Sequence, residues 1–249
     1  MFIDSHIHMG QFHQHYFAPS VVHQLMEQVG VECYAVSSTT QCEENYTKVL
    51  DEFHQLIDIA GEKVLPIMWI TPEGLKGNIA WFLESDVKWR CLKIHPFLHK
   101  NKWDPRGELF NEVLEIAREL NLPLLIHTGD EDGCQSYLFE KPIAENPDVT
   151  FILAHGRPLK ETLAIVSTYS NAYVDSAFMI VEHMKRFVDE GLSHKLLWGT
   201  DMCVPKHFFP HENMVRYYKS KLEAFCKVCT HEQFDVVTNW NAQKVLRIE

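Results

Sequence analysis

Residues 104–128 read DPRGELFNEVLEIARELNLPLLIHT, and this stretch holds both halves of a repeating unit. Asp104 is a good N-cap and Pro105 suits the first helical position. Leu109, Val113, Ile116 and Leu120 then recur at four, three and four residues, which predicts one apolar stripe along a helix. Asn121 and Pro123 stop it. The run that follows, LPLLIHT, is too continuously apolar for a strand wetted on one side and fits a parallel strand buried on both faces. Its polar residue, His127, stands near its C-terminal end.

Runs of the same kind extend in both directions. They are FIDSHIH from Phe2, CYAVSST from Cys33, VLPIMWI from Val64, RCLKIHP from Arg90, VTFILAH from Val149, AYVDSA from Ala172 and KLLWGTD from Lys195. A second helical pattern runs from Pro19 to Val29, with Val22, Leu25, Met26 and Val29 on one face and Gly30 as its stop. Eight strand–helix alternations in 249 residues match the (β/α)8 TIM barrel of the α/β class in size and order. An open, doubly wound sheet is the alternative, because periodicity does not show closure. No linker or Gly/Ser stretch divides the chain, so residues 1–249 read as one domain. Thr128 to Ile143 (TGDEDGCQSYLFEKPI) reads as an extended loop.

Composition narrows the partners. With 46% apolar residues, 11 Gly and 11 Pro, the chain is neither disordered nor fibrous. No apolar run reaches the ~18 residues of a membrane helix, and the N-terminus lacks the pattern of a secretory leader. The expected setting is cytoplasmic, with the seven cysteines reduced. Cys226 and Cys229 form a C-x-x-C ahead of His231, but without a second Cys pair they read as ordinary helix residues. The net charge is −11 and no basic cluster exceeds pairs such as Lys185-Arg186. Nucleic acid is therefore not an expected partner; a small-molecule substrate is, and the outer surface leaves room for a homo-oligomer.

The polar residues of these runs fall at the strand ends: His6 and His8, Lys93 and His95, His127, His155, and Asp201. In a parallel barrel those ends converge on the face that carries active sites. A lone strand-end His is more often a packing residue; convergence of the whole set favours chemistry. His6 and His8 stand two apart on a strand, so their rings point the same way with Cα atoms ~6.5 Å apart, close enough for both to reach one metal at ~2.1 Å. By the same alternation Asp4 lies inward one layer below His6, either fixing an imidazole tautomer or simply opening the strand.

DSHIH at residues 4–8, LPLLIHTG at 122–129, ILAHG at 152–156, WGTD at 198–201 and NAQKVLRI at 241–248 together resemble the amidohydrolase superfamily of metal-dependent hydrolases, in particular its amidohydrolase-2 (amidohydrolase-related) branch. The resemblance implies a closed barrel and a divalent metal, usually zinc; one ion per chain is expected, with a second if Lys93 is carboxylated. It implies that His6, His8 and His127 are metal ligands and that Asp201 is both a ligand and the base that takes a proton from metal-bound water. His155 matches a strand-six His that either binds a second metal or orients the substrate. Three imidazoles and one carboxylate leave a dication a good Lewis acid, able to lower the pKa of bound water to about 7.

Two places depart from the pattern. Lys93 and His95 face inward together from LKIHP: Lys93 is carboxylated and bridges two metals, binds a substrate oxyanion or carboxylate, or is structural, and His95 belongs to the site or to packing. HGRP at 155–158 replaces the usual glycines, so Arg157 either clamps a substrate carboxylate or is a surface residue. Neither Cys134 nor Cys203 has a neighbour marking it as a nucleophile. The leading function is hydrolysis of a C–N or C–O bond in an amide, cyclic amide, ester or lactone. The alternatives are metal-dependent decarboxylation and a catalytically silent binding barrel.

Overall fold

The computed structural model describes residues 1–77 and 79–248. Its strands are β1 (Ile3–Phe12), β2 (His15–Phe17), β3 (Cys33–Ser38), β4 (Val64–Trp69), β5 (Cys91–Ile94), β6 (Leu124–His127), β7 (Phe151–Ala154), β8 (Ala172–Asp175) and β9 (Leu196–Leu197). Its α-helices are α1 (Pro19–Val29), α2 (Tyr46–Ala60), α3 (Pro72–Gly77), α4 (Ile79–Leu83), α5 (Glu108–Glu119), α6 (Glu140–Glu145), α7 (Leu159–Thr168), α8 (Val181–Asp189), α9 (Pro205–Phe208), α10 (Met214–Cys226), α11 (His231–Asp235) and α12 (Asn241–Leu246). The strands form one curled sheet in the order β2-β1-β3-β4-β5-β6-β7-β8-β9, parallel throughout except for β2. Beyond β9 the chain returns to the first strand: Ser5 N–H donates to Trp198 O at 2.8 Å and Asp201 N–H to His6 O at 2.8 Å, with a parallel bridge between Ile7 and Met202.

Alternation along the strands sorts the core into two shells. Ile3, Ala35, Leu65, Ile67, Cys91, Leu125, Ile152, Tyr173 and Leu197 pack together on the concave side, where Ala242, Val245 and Leu246 of α12 join them. The opposite faces (Tyr34, Met68, Leu92, Ile126, Leu153, Val174) pack with the helices. Strict alternation from Ile3 would turn Ser5 and Ile7 inward. A register shift between Asp4 and Ile7 reverses it, so that Ile7 and Met9 join the outer shell. A bulge that re-aims side chains in this way is common beside active sites.

All eight expected strands are present, and α1 has the expected bounds, ending on Gly30 in the left-handed region (φ 81°). Four details differ. First, β1 runs on past His8 and folds back against β2, a hairpin for which no turn glycine signals. Second, α5 begins at Glu108 with Gly107 as its cap, because Asp104 is used in a tight turn, accepting the Arg106 and Gly107 N–H groups at 2.9 Å. Third, α5 buries Phe110, Val113, Leu114 and Ala117, while Leu120 is 41% exposed. Fourth, the 128–143 segment contains a 3-10 turn (Ser136–Phe139) and the start of α6. Cys226 is exposed at the end of α10 and Cys229 half-buried beyond it. Among the described residues no helix is long and apolar enough to cross a membrane.

Candidate metal centre

The bulge in β1 brings His6 and His8 to the same buried point, with ring centroids 5.1 Å apart. Their orientation is fixed from behind. Asp175, at the end of β8, lies with Oδ2 2.8 Å from His6 Nδ1, and a carboxylate only accepts, so Nδ1 carries the proton and Nε2 keeps its lone pair. Ser37, at the end of β3, stands 3.0 Å from His8 Nδ1. Asp201 approaches from beyond β9 with left-handed backbone (φ 61°), a conformation uncommon for Asp and typical of functional sites. Its Oδ1 lies 2.8 Å from His8 Nε2 and 3.2 Å from His6 Nε2, yet it is buried with no hydrogen-bond partner. Lys93 Nζ, from β5, is 2.9 Å from His6 Nε2 and 3.1 Å from His8 Nε2, and 4.6 Å from the Trp69 ring centroid.

Burial sets the charge states. It pushes His8 down to about 3, helped by the Lys93 charge, and Lys93 down to about 8. Burial would raise Asp175, but the His6 ring outweighs it and leaves this carboxyl at about 2. A neutral His8 ring beside ionised carboxylates is the protonation state that a metal site requires.

His155 and His127 form an adjoining group. His155, also left-handed (φ 68°), donates from Nδ1 to Ala177 O at 3.0 Å. Its Nε2 is therefore an acceptor and takes the His127 Nδ1 proton at 3.0 Å, which leaves His127 Nε2 a lone pair. That atom is buried without a hydrogen-bond partner, and Glu131 Oε2 is 3.8 Å away. His127 stacks on His95 at 3.7 Å, and His95 on Trp69 at 6.0 Å.

The structure thus brings His6, His8, Asp201 and Lys93 together. It holds His155 beside them, 5.6 Å from His6 between ring centroids. His127 lies one imidazole further out and groups with His95 and Cys134, whose ligand atoms fall within 4.8 Å of one another. Arg157 is half-buried and turns to the rim, bonding Phe178 O at 3.4 Å. Asp4 does not orient a ring: the bulge turns it outward, where it accepts the His6 backbone N–H at 3.1 Å and the Thr200 hydroxyl at 2.6 Å. Asp175 takes that orienting role. Sequence reasoning passed over it although Asp175 closes its strand, AYVD, in the way that His127 closes LLIH.

A family model described as Amidohydrolase matches residues 71–248. The chain belongs to the amidohydrolase family. The match begins beyond His6 and His8, which stand on the geometry above. Three similar solved structures share the fold. An amidohydrolase from Burkholderia multivorans with bound zinc is 12% identical, with TM-score 0.71 and coverage of 100% of both chains. A 5-carboxyvanillate decarboxylase from Novosphingobium aromaticivorans complexed with manganese is 9% identical, with TM-score 0.72 and coverage of 100% of this chain and 96% of that one. A probable 2-pyrone-4,6-dicarboxylic acid hydrolase from Acinetobacter baumannii is 11% identical, with TM-score 0.70 and coverage of 99% of both. At these identities the likeness is one of fold. No curated protein matches the chain.

Proposed function

We propose that this amidohydrolase-family chain is a metal-dependent hydrolase cleaving a C–N or C–O bond (amide, cyclic amide, ester or lactone) of a small substrate. The supporting observation is Asp201 Oδ1, buried and unpartnered within 3.2 Å of two imidazole nitrogens that also carry lone pairs. The Lys93 ammonium meets the two imidazole nitrogens but leaves Asp201 Oδ1 open, a gap that a metal cation among the three atoms would fill. The donors are nitrogen and oxygen, the kind that zinc and manganese take. His6, His8 and Asp201 would hold the ion; His127, expected as a third imidazole ligand, lies outside that group with its Nδ1 on His155. When bound, the ion supplies a Lewis acid that polarises a substrate carbonyl and makes water a nucleophile near neutral pH.

The protein's own groups supply the rest. The Asp201 carboxylate takes a proton from the attacking water and returns it to the leaving nitrogen or oxygen. Asp175 and Ser37 hold the His6 and His8 rings, and Asp175 keeps the His6 ring proton on Nδ1. Lys93, a buried cation, faces a substrate oxyanion or carboxylate, and Arg157 at the rim guides anionic substrates inward. His155, held neutral by burial at about 3 and tied at both nitrogens, is a fixed wall that orients what it touches. The hydrogen bonds from β1 to residues 198–202 support closure of the curled sheet as a (β/α)8 barrel.

A decarboxylase is the second reading, favoured by the buried Lys93 cation, which suits a substrate carboxylate. One assay tests both. Zinc- or manganese-loaded protein on a panel of lactones, cyclic amides and aromatic carboxylates is expected to consume water without releasing carbon dioxide. Release of carbon dioxide selects the second reading. Turnover equally fast after chelation overturns the metal dependence of both.

A further inference from the structure

Lys93 is placed unusually for a buried lysine. The Asp201 and Asp175 carboxylates act on its charge, but its hydrogen bonds go elsewhere. Its ammonium instead donates to the Nε2 atoms of His6 and His8, at 2.9 and 3.1 Å. The first is the lone pair that Asp175 fixes from the far side of the His6 ring, and Ser37 stands 3.0 Å from the far nitrogen of His8. The Trp69 face, 4.6 Å from Nζ, shares the charge. The third lone pair of the cluster, Asp201 Oδ1, is left without a partner, so the ammonium completes only part of the cationic role that the pocket calls for.

We propose that the Lys93 ammonium is a resident competitor for the metal: it occupies the His6 and His8 lone pairs in the metal-free protein and is displaced when an ion binds. An imidazole nitrogen has one lone pair and cannot serve an N–H donor and a metal together. The ion therefore has to break two charge-assisted hydrogen bonds and then stand beside a like charge. In return, loading releases a cation at the site, free to meet a substrate anion, so that anion binding becomes coupled to metal loading.

This inference rests on the metal reading above, and the test separates the two. Zinc affinity is measured by competition with a chromophoric chelator for wild type, Lys93→Met, Lys93→Gln and His8→Ala, each confirmed folded by circular dichroism. Both Lys93 variants are expected to bind zinc at least tenfold more tightly than wild type. Equal or weaker binding by Lys93→Met and Lys93→Gln, with His8→Ala still losing zinc, overturns the competition alone. Unchanged zinc binding by His8→Ala overturns the metal reading and the inference with it. A measurement on wild type keeps the test independent of the folding of the variants: in protein labelled with 15N-lysine, the Lys93 Nζ signal is expected to shift when zinc is added. A signal indifferent to zinc that is bound at His8 overturns the proposal.

Discussion

Asp201 and Asp175 are both buried carboxylates beside the same imidazoles, yet they face opposite chemical demands. Asp175 has both oxygens engaged: Oδ2 by the His6 ring at 2.8 Å and Oδ1 by the backbone N–H groups of His155 and Ala177 at 3.1 and 2.9 Å. Asp201 leaves Oδ1 open. Asp201→Asn keeps the shape and removes the base, so turnover should fall by about 10²-fold or more on the true substrate, with the circular dichroism spectrum unchanged. Activity within threefold of wild type would exclude Asp201 as the base. Asp175→Asn removes the acceptor that fixes the His6 tautomer, and zinc affinity should drop about 10- to 100-fold, read by the same chelator competition. An undiminished affinity would show that the ring is held by packing alone.

At the scale of elements, Gly10 shows how tightly the β1 hairpin is pinned. Its φ is +88°, and a Cβ there would stand 2.5 Å from Thr40 Oγ1, 2.6 Å from Ser38 Oγ and 2.9 Å from Glu52 Oε2. Those three side chains form one buried hydrogen-bonded group, with Ser38 and Thr40 donating to the Glu52 carboxylate at 2.5 and 2.8 Å. Gly10→Ala should therefore cost about 2–4 kcal/mol in denaturant unfolding, from backbone strain and overpacking together. A loss below ~0.5 kcal/mol would show that the group yields freely. Helix α5 offers a paired test: Leu114→Ala should cost about 2–5 kcal/mol and Leu120→Ala under about 0.5 kcal/mol. Equal costs would mean that the buried face is not the one described.

The strands were legible in the sequence because a run apolar on both faces has few other places to go. The strand-end polar residues were legible because a parallel sheet gathers them at one end. What escaped was set by contacts rather than by period. The bulge between Asp4 and Ile7 reverses the inward parity of β1, so His6 and His8 were assigned the right face while Asp4, counted by the same alternation, was not. Asp104 looked like a cap, but Pro105 and Gly107 allow a turn that takes up its side chain first. His127 was legible as a strand-end imidazole. Its stacking on His95 and its bond to His155 depend on three strands meeting, which no local pattern records.

For the whole molecule, metal loading and folding are linked. A ligand that binds only the folded state stabilises it by about 2.7 kcal/mol at one hundred times its dissociation constant. Chelation of the loaded protein should therefore lower the melting temperature by several degrees in a scanning experiment, and zinc should restore it. A melting temperature indifferent to both would mean that no ion bridges the folded elements.

The return of the chain onto its first strand has a consequence for biosynthesis. The Ser5 hydroxyl donates to Trp198 O across a sequence separation of 193 residues, so β1 cannot be paired along that edge until almost the entire polypeptide has left the ribosome. Through most of translation the nascent chain carries an unpaired strand edge with Ile3, Ile7 and Met9 along it, the kind of edge that recruits other strands. Such long-range closure is slow relative to local helix formation. Because His6 and His8 lie on that strand and Asp201 on the segment that returns to it, the candidate centre is complete only once this pairing has formed.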